Sequence, residues 1–380
     1  MAHITLNTKK LKENFDFLNN LFGKRNIEWS VVTKLLCGNN AYLRAVMDLG
    51  ITQACDSRIA NLKTIKTNYP HIETVFIKPP AERNVRKIVA YADVSFNTSL
   101  HTIYALSEAA RALGKTHKIV IMIELGELRE GVIEDNILPF YEKVFHLPNI
   151  EVVGLGTNLT CMYGVLPSYE KLRQLERYRQ LIEERFNRKI PYLTGGASVT
   201  IPLIERNELP VGINHFRVGE TLFFGTDVYN NTVLPGMHQN LFKLYGEIIE
   251  LYEKPNVPDG ELGYNLAGEK ITFAGSGPVE NTHRAIIDIG LLDIDTRHVW
   301  PVDKDIRIAG ASSDMTVLDL GANAGHYKAG DKIAFDVDYM GALRLMNSRY
   351  IEKRIEDDRV LNRRMQKPAA LSRALNRGYR

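Results

Sequence analysis

The first two-thirds of the chain repeats one pattern, a short apolar run followed by an amphipathic segment. Eight such runs fall between residues 29 and 218. Eight strand-then-helix units in roughly 200 residues predict an α/β fold of the closed (β/α)8 type, a TIM barrel with a parallel sheet. An open doubly wound sheet is the alternative, although no GxGxxG motif for a dinucleotide follows the first strand. The candidate strands are Trp29–Thr33, Gln53–Asp56, Thr74–Lys78, Asp93–Asn97, Lys118–Glu124, Glu151–Gly156, Pro191–Thr194 and Asn214–Val218.

Beyond about residue 230 the pattern changes to strand-like stretches without long helices between them. Pro255, Pro258, Gly260 and Gly263 interrupt the chain in this part. Short strands separated by turn residues predict a second, mostly antiparallel β-domain. Its candidate strands are Leu244–Leu251, Ala285–Ile289, Asp305–Ile308, Thr316–Leu320 and Lys332–Val337.

These patterns divide the chain into three parts. We assign residues 7–230 to the barrel, residues 1–6 and 231–350 to the β-domain, and residues 351–380 to a basic tail. From Arg359 to Arg380 the chain has seven Lys or Arg residues and no acidic residue. We interpret this tail as solvated and partly helical, with a docking arm or a polyanion contact as the alternative.

Charge and cysteine content indicate the cellular setting. The net charge is +3 over 380 residues, which gives no reason to expect a nucleic-acid or membrane partner. No apolar run approaches the ~18 residues of a membrane span, and the amino-terminal residues lack a signal-peptide pattern. Cys37, Cys55 and Cys161 are far apart without CxxC spacing. This disfavours a disulfide framework or a zinc site, so we expect no metal and a cytoplasmic location.

Active-site groups of a (β/α)8 barrel lie at the carboxyl ends of the strands, and these ends are polar here. Lys34 follows the first strand, where a partly desolvated amine would be a competent nucleophile for an aldehyde. The alternative is a lysine that ends a strand and turns into solvent.

Two turns of small residues, Gly195–Ser198 and Gly219–Thr221, follow the last two strands. Barrels commonly hold phosphate at this place, on backbone N–H groups and a hydroxyl, although ordinary βα turns are the alternative. A Schiff-base lysine with a phosphate cradle predicts a phosphorylated aldehyde, and pyridoxal phosphate (PLP) fits. The competing interpretation is a Schiff-base aldolase with a sugar-phosphate substrate.

Eight motifs together resemble the alanine racemase superfamily, the barrel-type PLP enzymes, and within it the alanine/ornithine racemase group. The resemblance extends from Ile4 to about Ile355 and leaves the basic tail outside. Each motif is weak alone, but their order and their match to the strand ends are specific. The motifs are Val32–Gly38 (VTKLLCG), Asp56–Arg58 (DSR), Leu125–Gly131 (LGELREG), Gly154–Cys161 (GLGTNLTC), Thr194–Ser198 (TGGAS), Phe216–Glu220 (FRVGE), Gly310–Asp314 (GASSD) and Asp338–Tyr339.

The resemblance implies a PLP-dependent racemase of free amino acids. Lys34 would carry the cofactor as a Schiff base and would act as one of two catalytic bases. Arg217 would donate to the pyridine nitrogen and keep it unprotonated, because an arginine stays charged and only donates. Arg129 would contact the ring hydroxyl or the substrate carboxylate. The phosphate would be bound by Ser198, Gly219, the backbone N–H of Glu220, and Tyr339.

The sequence departs from alanine racemases at four places. Asn158, a predicted cofactor-binding residue, stands where they have a ring-stacking histidine. Gly38 stands where they have a tyrosine that helps bind phosphate. Leu291 replaces the tyrosine that the partner subunit's β-domain contributes as the second base. The segment Ser312-Ser313-Asp314 replaces a Cys-Met-Asp segment beside the substrate.

Racemisation needs a base on each face of the α-carbon, so another group must replace that tyrosine. The candidates in the β-domain are Asp295, Ser313, His283 and His298, of which we select Ser313 and Asp295. If the partner supplies this base, the working unit is a homodimer with shared active sites. A site without these tyrosines would have room for a longer, cationic substrate such as ornithine or lysine.

Two alternatives share the cofactor. A PLP-dependent decarboxylase of this fold would need a cysteine from the β-domain, and the last cysteine is Cys161. A non-catalytic PLP-binding protein would resemble the barrel alone, without residues beyond 230. We interpret Glu124 and Glu127 as local ion partners rather than acid catalysts.

Overall fold

The amino-terminal strand and helix connect the two domains. In the computed structural model, which describes residues 1–265, 268, 270 and 280–356, β1 (His3–Asn7) leads directly into α1 (Thr8–Gly23). The Asn7 side chain caps this helix by accepting a hydrogen bond from the Lys10 N–H at 2.9 Å. The apolar stripe that the sequence predicts, Leu11, Phe15, Leu18 and Phe22, is buried.

Eight parallel strands form the predicted barrel, and the seventh is split at Gly195. Its first half pairs with the sixth strand and its second half with the eighth, which pairs in turn with the first and closes the ring. The strands are β2 (Glu28–Val32), β3 (Gln53–Asp56), β4 (Glu73–Phe76), β5 (Val94–Asn97), β6 (His117–Met122), β7 (Ile150–Gly156), β8 (Tyr192–Thr194) with β9 (Gly196–Ala197), and β10 (His215–Val218).

Helices cover the outside of the barrel, and apolar side chains fill its interior. The interior cluster includes Val32, Phe96, Val120 and Met122, all buried. A second, larger core lies between the strands and the surrounding helices and continues into the β-domain. The helices after α1 are α2 (Asn40–Met47), α3 (Ile59–Asn68), α4 (Val85–Tyr91), α5 (Leu100–Ala112), α6 (Ile137–Phe145), α7 (Tyr169–Phe186), α8 (Ile201–Glu205) and α9 (Glu220–Phe224).

The second domain is the expected antiparallel sheet, with one parallel pair. The small hairpin of β11 (Thr226–Asp227) and β12 (Thr232–Val233) is followed by six strands: β13 (Phe242–Pro255), β14 (Asn281–Ile287), β15 (Val299–Pro301), β16 (Arg307–Ala311), β17 (Thr316–Asp319) and β18 (Lys332–Val337). They pair in the order β15-β18-β13-β14-β17-β16, and β1 joins β13 antiparallel. Helix α10 (Tyr339–Asn347) and strand β19 (Glu352–Glu356) follow.

The structure corrects several expected bounds. Strand β4 ends at Phe76, so Lys78 lies in the loop beyond it, and β16 begins at Arg307 instead of Asp305. Strand β19 pairs in parallel with β1, although it lies in the segment that the sequence assigned to the basic tail. Residues Arg359 to Arg380 of that tail lie outside the described residues. In the described part of the chain, no helix is long and apolar enough to cross a membrane.

Candidate active site

A cavity of about 890 Å³ lies at the carboxyl ends of the barrel strands, where the β-domain meets the barrel. It is lined by eight of the ten residues that the sequence predicts for the site. Two predicted residues, Ser313 and Asp295, do not line it. The eight lining residues are Lys34, Arg129, Asn158, Ser198, Arg217, Gly219, Glu220 and Tyr339.

The turn that presents Lys34 is held by a buried carboxylate. Strand β2 ends at Val32, and the Thr33 hydroxyl donates to Asp56 Oδ2 at 3.0 Å. Asp56 also accepts from the Arg58 N–H at 2.8 Å and from Asn61 Nδ2 at 3.1 Å, and burial raises the pKa of Asp56. The Asp-Ser-Arg motif at the end of β3 therefore orders the turn that follows the neighbouring strand β2.

The same turn explains the glycine at position 38. Cys37 and Gly38 both adopt left-handed backbone angles, with φ of 49° and 73°. A Cβ atom at Gly38 would lie 2.9 Å from Asn61 Oδ1. A tyrosine here would strain the left-handed backbone and displace the Asn61 amide, so we expect a phosphate group to be bound without it.

Tyr339 approaches Lys34 from the β-domain. It is the first residue of α10, and the Asp338 side chain caps this helix by accepting from the Gly341 N–H at 2.8 Å. Lys34 Nζ lies 5.9 Å from the centre of the Tyr339 ring, so the amine and the phenol are neighbours. Burial raises the pKa of Tyr339, so its hydroxyl stays protonated at neutral pH.

The two small-residue turns after the last strands are joined to each other. The Ser198 hydroxyl accepts a hydrogen bond from the Thr221 N–H at 3.3 Å. A Cβ atom at Gly219 would lie 3.0 Å from the Val32 side chain, so any larger residue here would push against β2. The turns thus bring a hydroxyl and backbone N–H groups to one wall of the cavity.

Arg217 is a buried cation with an unused donor. Its Nη2 donates to the Thr157 carbonyl at 2.8 Å, and its guanidinium lies 5.2 Å from the centre of the Phe96 ring. Burial lowers the pKa of Arg217 to about 10, so the side chain is still charged at neutral pH. Its buried Nε has no hydrogen-bond partner among the described residues. The site therefore offers one N–H to an acceptor that carries no proton of its own.

Arg129 is engaged on all three guanidinium nitrogens. Its Nε and Nη2 donate to the two carboxylate oxygens of Glu130, which raises the pKa of Arg129. With the Asn158 amide turned so that its oxygen faces the guanidinium, that oxygen accepts from Nη2 at 3.0 Å and from Nη1 at 3.3 Å. Nη1 also contacts the Cys161 thiol. Sequence reasoning missed Glu130, although an acid directly after a candidate arginine was a visible signal.

The loop that carries Asn158 and Cys161 is organised around Glu127, which is 1% exposed. The Glu127 carboxylate accepts hydrogen bonds from five backbone N–H groups of this loop. The expectation that Glu127 is an ion partner was wrong, because backbone amides surround its carboxylate. The five donors are the N–H groups of Thr160, Cys161, Met162, Tyr163 and Val165.

The Arg129-Glu130 segment returns to the end of β6 through Gly131. This glycine has φ of 153°, and a Cβ atom there would lie 2.2 Å from the Glu124 backbone nitrogen.

We expect Gly131→Ala to lower the free energy of unfolding by about 3 kcal/mol, because backbone atoms must move. Urea unfolding measures this change. Gly164→Ala is the matched control: its φ is 74° with nothing within 4 Å, so about 1 kcal/mol is expected, and equal losses would contradict the steric argument.

The two remaining predicted residues lie in the β-domain. Ser313 is exposed, and its segment pairs with the loop of Leu291: the Leu291 and Leu292 N–H groups donate to the carbonyls of Ser312 and Ser313 at 2.9 and 2.8 Å. Asp295 is bound by Arg297, whose hydrogen bonds hold the pKa of Asp295 well below its usual range. His298 bonds Asp338, and His283 bonds the Gly321 carbonyl.

Comparisons with known proteins agree with this architecture. The family model "Alanine racemase, N-terminal domain" matches residues 6–227. An ornithine racemase of Acetoanaerobium sticklandii is 36% identical over 93% of this chain and 99% of its own. A lysine racemase of Thermotoga maritima is 31% identical over 92% of this chain and 97% of its own.

The fold is also found in solved structures. An alanine racemase of Bartonella henselae, described with covalently bound pyridoxal phosphate, superposes with a TM-score of 0.71 at 14% identity. The match covers 93% of this chain and 99% of that one. Together with the family match and the two relatives, this shows that the chain belongs to the alanine racemase family.

Proposed function

We propose that this protein is a PLP-dependent racemase of free amino acids with a cationic side chain, ornithine or lysine. The observation that carries the proposal is the pairing, in one cavity, of Lys34 and a buried arginine whose Nε lacks a partner among the described residues. The two relatives described as ornithine and lysine racemases support the substrate class. The related fold with covalently bound pyridoxal phosphate supports the cofactor.

The residues of the cavity fit this cofactor. Lys34 would bind its aldehyde, and the free Nε–H of Arg217 would donate to the pyridine nitrogen. Ser198, Tyr339 and the backbone at Gly219 and Glu220 would bind the phosphate. When bound, PLP supplies the electron withdrawal that acidifies the Cα–H bond of an attached amino acid.

The side chains of this protein would then move the proton. The Lys34 amine would take up or return the α-proton on one face, and the adjacent Tyr339 would orient it. Arg129 and Asn158 would hold the substrate carboxylate. Inversion also requires a group on the opposite face, which this chain's own cavity does not receive from Ser313 or Asp295.

We therefore infer that the opposite base comes from a second copy, in a homodimer with shared active sites. Ser313 is the better placed of the two candidates, because it is exposed beside Leu291. Asp295 is a weak proton acceptor, since the hydrogen bonds from Arg297 hold its pKa low.

One experiment separates the candidate activities. The purified protein should absorb at about 420 nm and, with L-ornithine or L-lysine in deuterated water, should form the D-enantiomer with deuterium at Cα. L-Alanine is the comparison substrate and is expected to react more slowly. Release of CO2 and a diamine would instead identify a decarboxylase. A coloured protein without turnover would identify a non-catalytic binding protein.

A further inference from the structure

Glu130 is a largely buried carboxylate that lines the cavity together with Arg129. Its side chain is 12% exposed, and both of its oxygens accept from Arg129, which is 32% exposed. The other guanidinium contacts go to Asn158 and Cys161. In this arrangement every guanidinium nitrogen of Arg129 has a partner. A substrate carboxylate that binds Arg129 must therefore displace one of these partners, and Glu130 is the charged one.

Displacing Glu130 has an electrostatic consequence. A carboxylate that loses its ion-pair partner in a largely desolvated position is strongly unfavourable unless another cation replaces that partner. Arg217 also lies close enough for its charge to interact with Glu130, but its Nη2 donates to Thr157 and its free Nε is the donor proposed for the pyridine nitrogen. A substrate that carries its own side-chain cation would supply the missing charge.

We propose that Glu130 is the residue that selects cationic side chains. The substrate α-carboxylate binds Arg129, the substrate side-chain ammonium binds Glu130, and one internal ion pair is exchanged for two ion pairs with the substrate. A neutral amino acid can make only the first of these contacts. This inference rests on the proposed racemase function.

The other carboxylates of the cavity are less suited to this role. Asp338 is bound by His298 at 2.8 Å and by the Gly341 N–H at 2.8 Å. Glu220 lies near Lys34 in one of the two small-residue turns proposed to bind the phosphate, and burial raises the pKa of Glu220. Asp336 is the competing position, because its buried Oδ1 has no partner among the described residues.

The test compares L-ornithine with L-norleucine, whose terminal methyl replaces the ammonium. We expect Glu130→Gln in the holoenzyme to lower kcat/KM for ornithine about 10–100-fold and to change the value for norleucine less than about threefold. Glu130→Asp, which keeps the charge, should retain the preference for ornithine. Asp336→Asn should leave the preference unchanged. Calorimetric binding of both amino acids gives a second readout that does not depend on turnover.

Equal losses for both substrates in Glu130→Gln would show that Glu130 only positions Arg129. A loss of preference in Asp336→Asn instead would place the ammonium elsewhere, and either result overturns the proposal. An inactive wild-type protein that still binds ornithine over norleucine through Glu130 would refute the racemase function but support Glu130 as the selecting residue. An inactive protein without this preference would refute both.

Discussion

Replacing Lys34 with alanine is expected to lower kcat/KM for racemisation by at least ~10³-fold, because it removes both the cofactor attachment and one proton acceptor. Lys34→Arg should be equally inactive, since a guanidinium keeps the positive charge but does not condense with an aldehyde. Chiral chromatography of L-ornithine incubated with each variant measures the loss.

Covalent labelling tests the same prediction without turnover. Borohydride reduction of the wild-type holoenzyme should add the mass of the reduced cofactor to the peptide that contains Lys34, and this mass should be absent from Lys34→Ala. Lys78→Ala is the matched control, because Lys78 also lines the cavity but lies in an exposed loop after β4. It should keep the label at Lys34 and most of the activity.

Retention of more than a tenth of the activity in Lys34→Ala would contradict the assignment. A label on Lys78 would do the same. Each of these outcomes would move the nucleophile away from the end of β2 and leave the Thr33–Asp56 contact without a catalytic purpose.

The barrel could be predicted from the sequence because its signal is local. Each buried strand is a short apolar run, and a polar residue at or just after its last position marks the carboxyl end, as at Asn97 and Lys34. Strand ends could be predicted less accurately: the apolar run continues to Ile77, but the hydrogen-bonded pairing of β4 stops at Phe76. An apolar run therefore locates a strand more reliably than it locates the residue where pairing ends.

The pairing of strands that are far apart in the sequence could not be predicted from local patterns. Strand β19 has the sequence EKRIE, which is mostly charged and lacks the alternation of a half-buried strand. It becomes a strand because β1, about 350 residues earlier, provides its parallel partner, from His3 with Glu352 to Asn7 with Glu356. The sequence alone does not show that these two segments meet.

The residues of the candidate site also fall into those that local motifs reveal and those that depend on long-range contacts. Lys34, Arg217 and Gly219 were recognisable because each sits in a motif at a strand end. The role of Glu127 was not, because its partners are backbone N–H groups of a loop more than 30 residues later, and an amide donor leaves no mark in the sequence. Glu130 depends likewise on how the Gly131 turn folds back over the barrel.

Glu127→Gln is expected to lower the free energy of unfolding by about 3 kcal/mol, because a carboxamide offers one acceptor oxygen where the carboxylate offers two. Its NH2 group would also face loop N–H groups that need an acceptor. The loop carries Asn158 and Cys161, so the KM for the amino acid should rise as well. Glu124→Gln is the control: Glu124 accepts from the N–H groups of Gly126 and Leu128 but is more exposed, and a loss below about 1 kcal/mol is expected.

The pH dependence of the stability difference between wild type and Glu127→Gln shows whether the charge of Glu127 causes it. Burial alone would raise the pKa of Glu127, but the loop amides outweigh it and lower the pKa to about 2. A folded pKa below the unfolded value of ~4.3 means that this stabilisation is present above that value and is lost as the pH falls toward the folded pKa. Urea unfolding from pH 6 to pH 3 should therefore show the gap between wild type and Glu127→Gln narrowing below about pH 4.3. A gap that stays constant over this range would mean that the charge of Glu127 does not hold the loop, and that the substitution acts through packing alone.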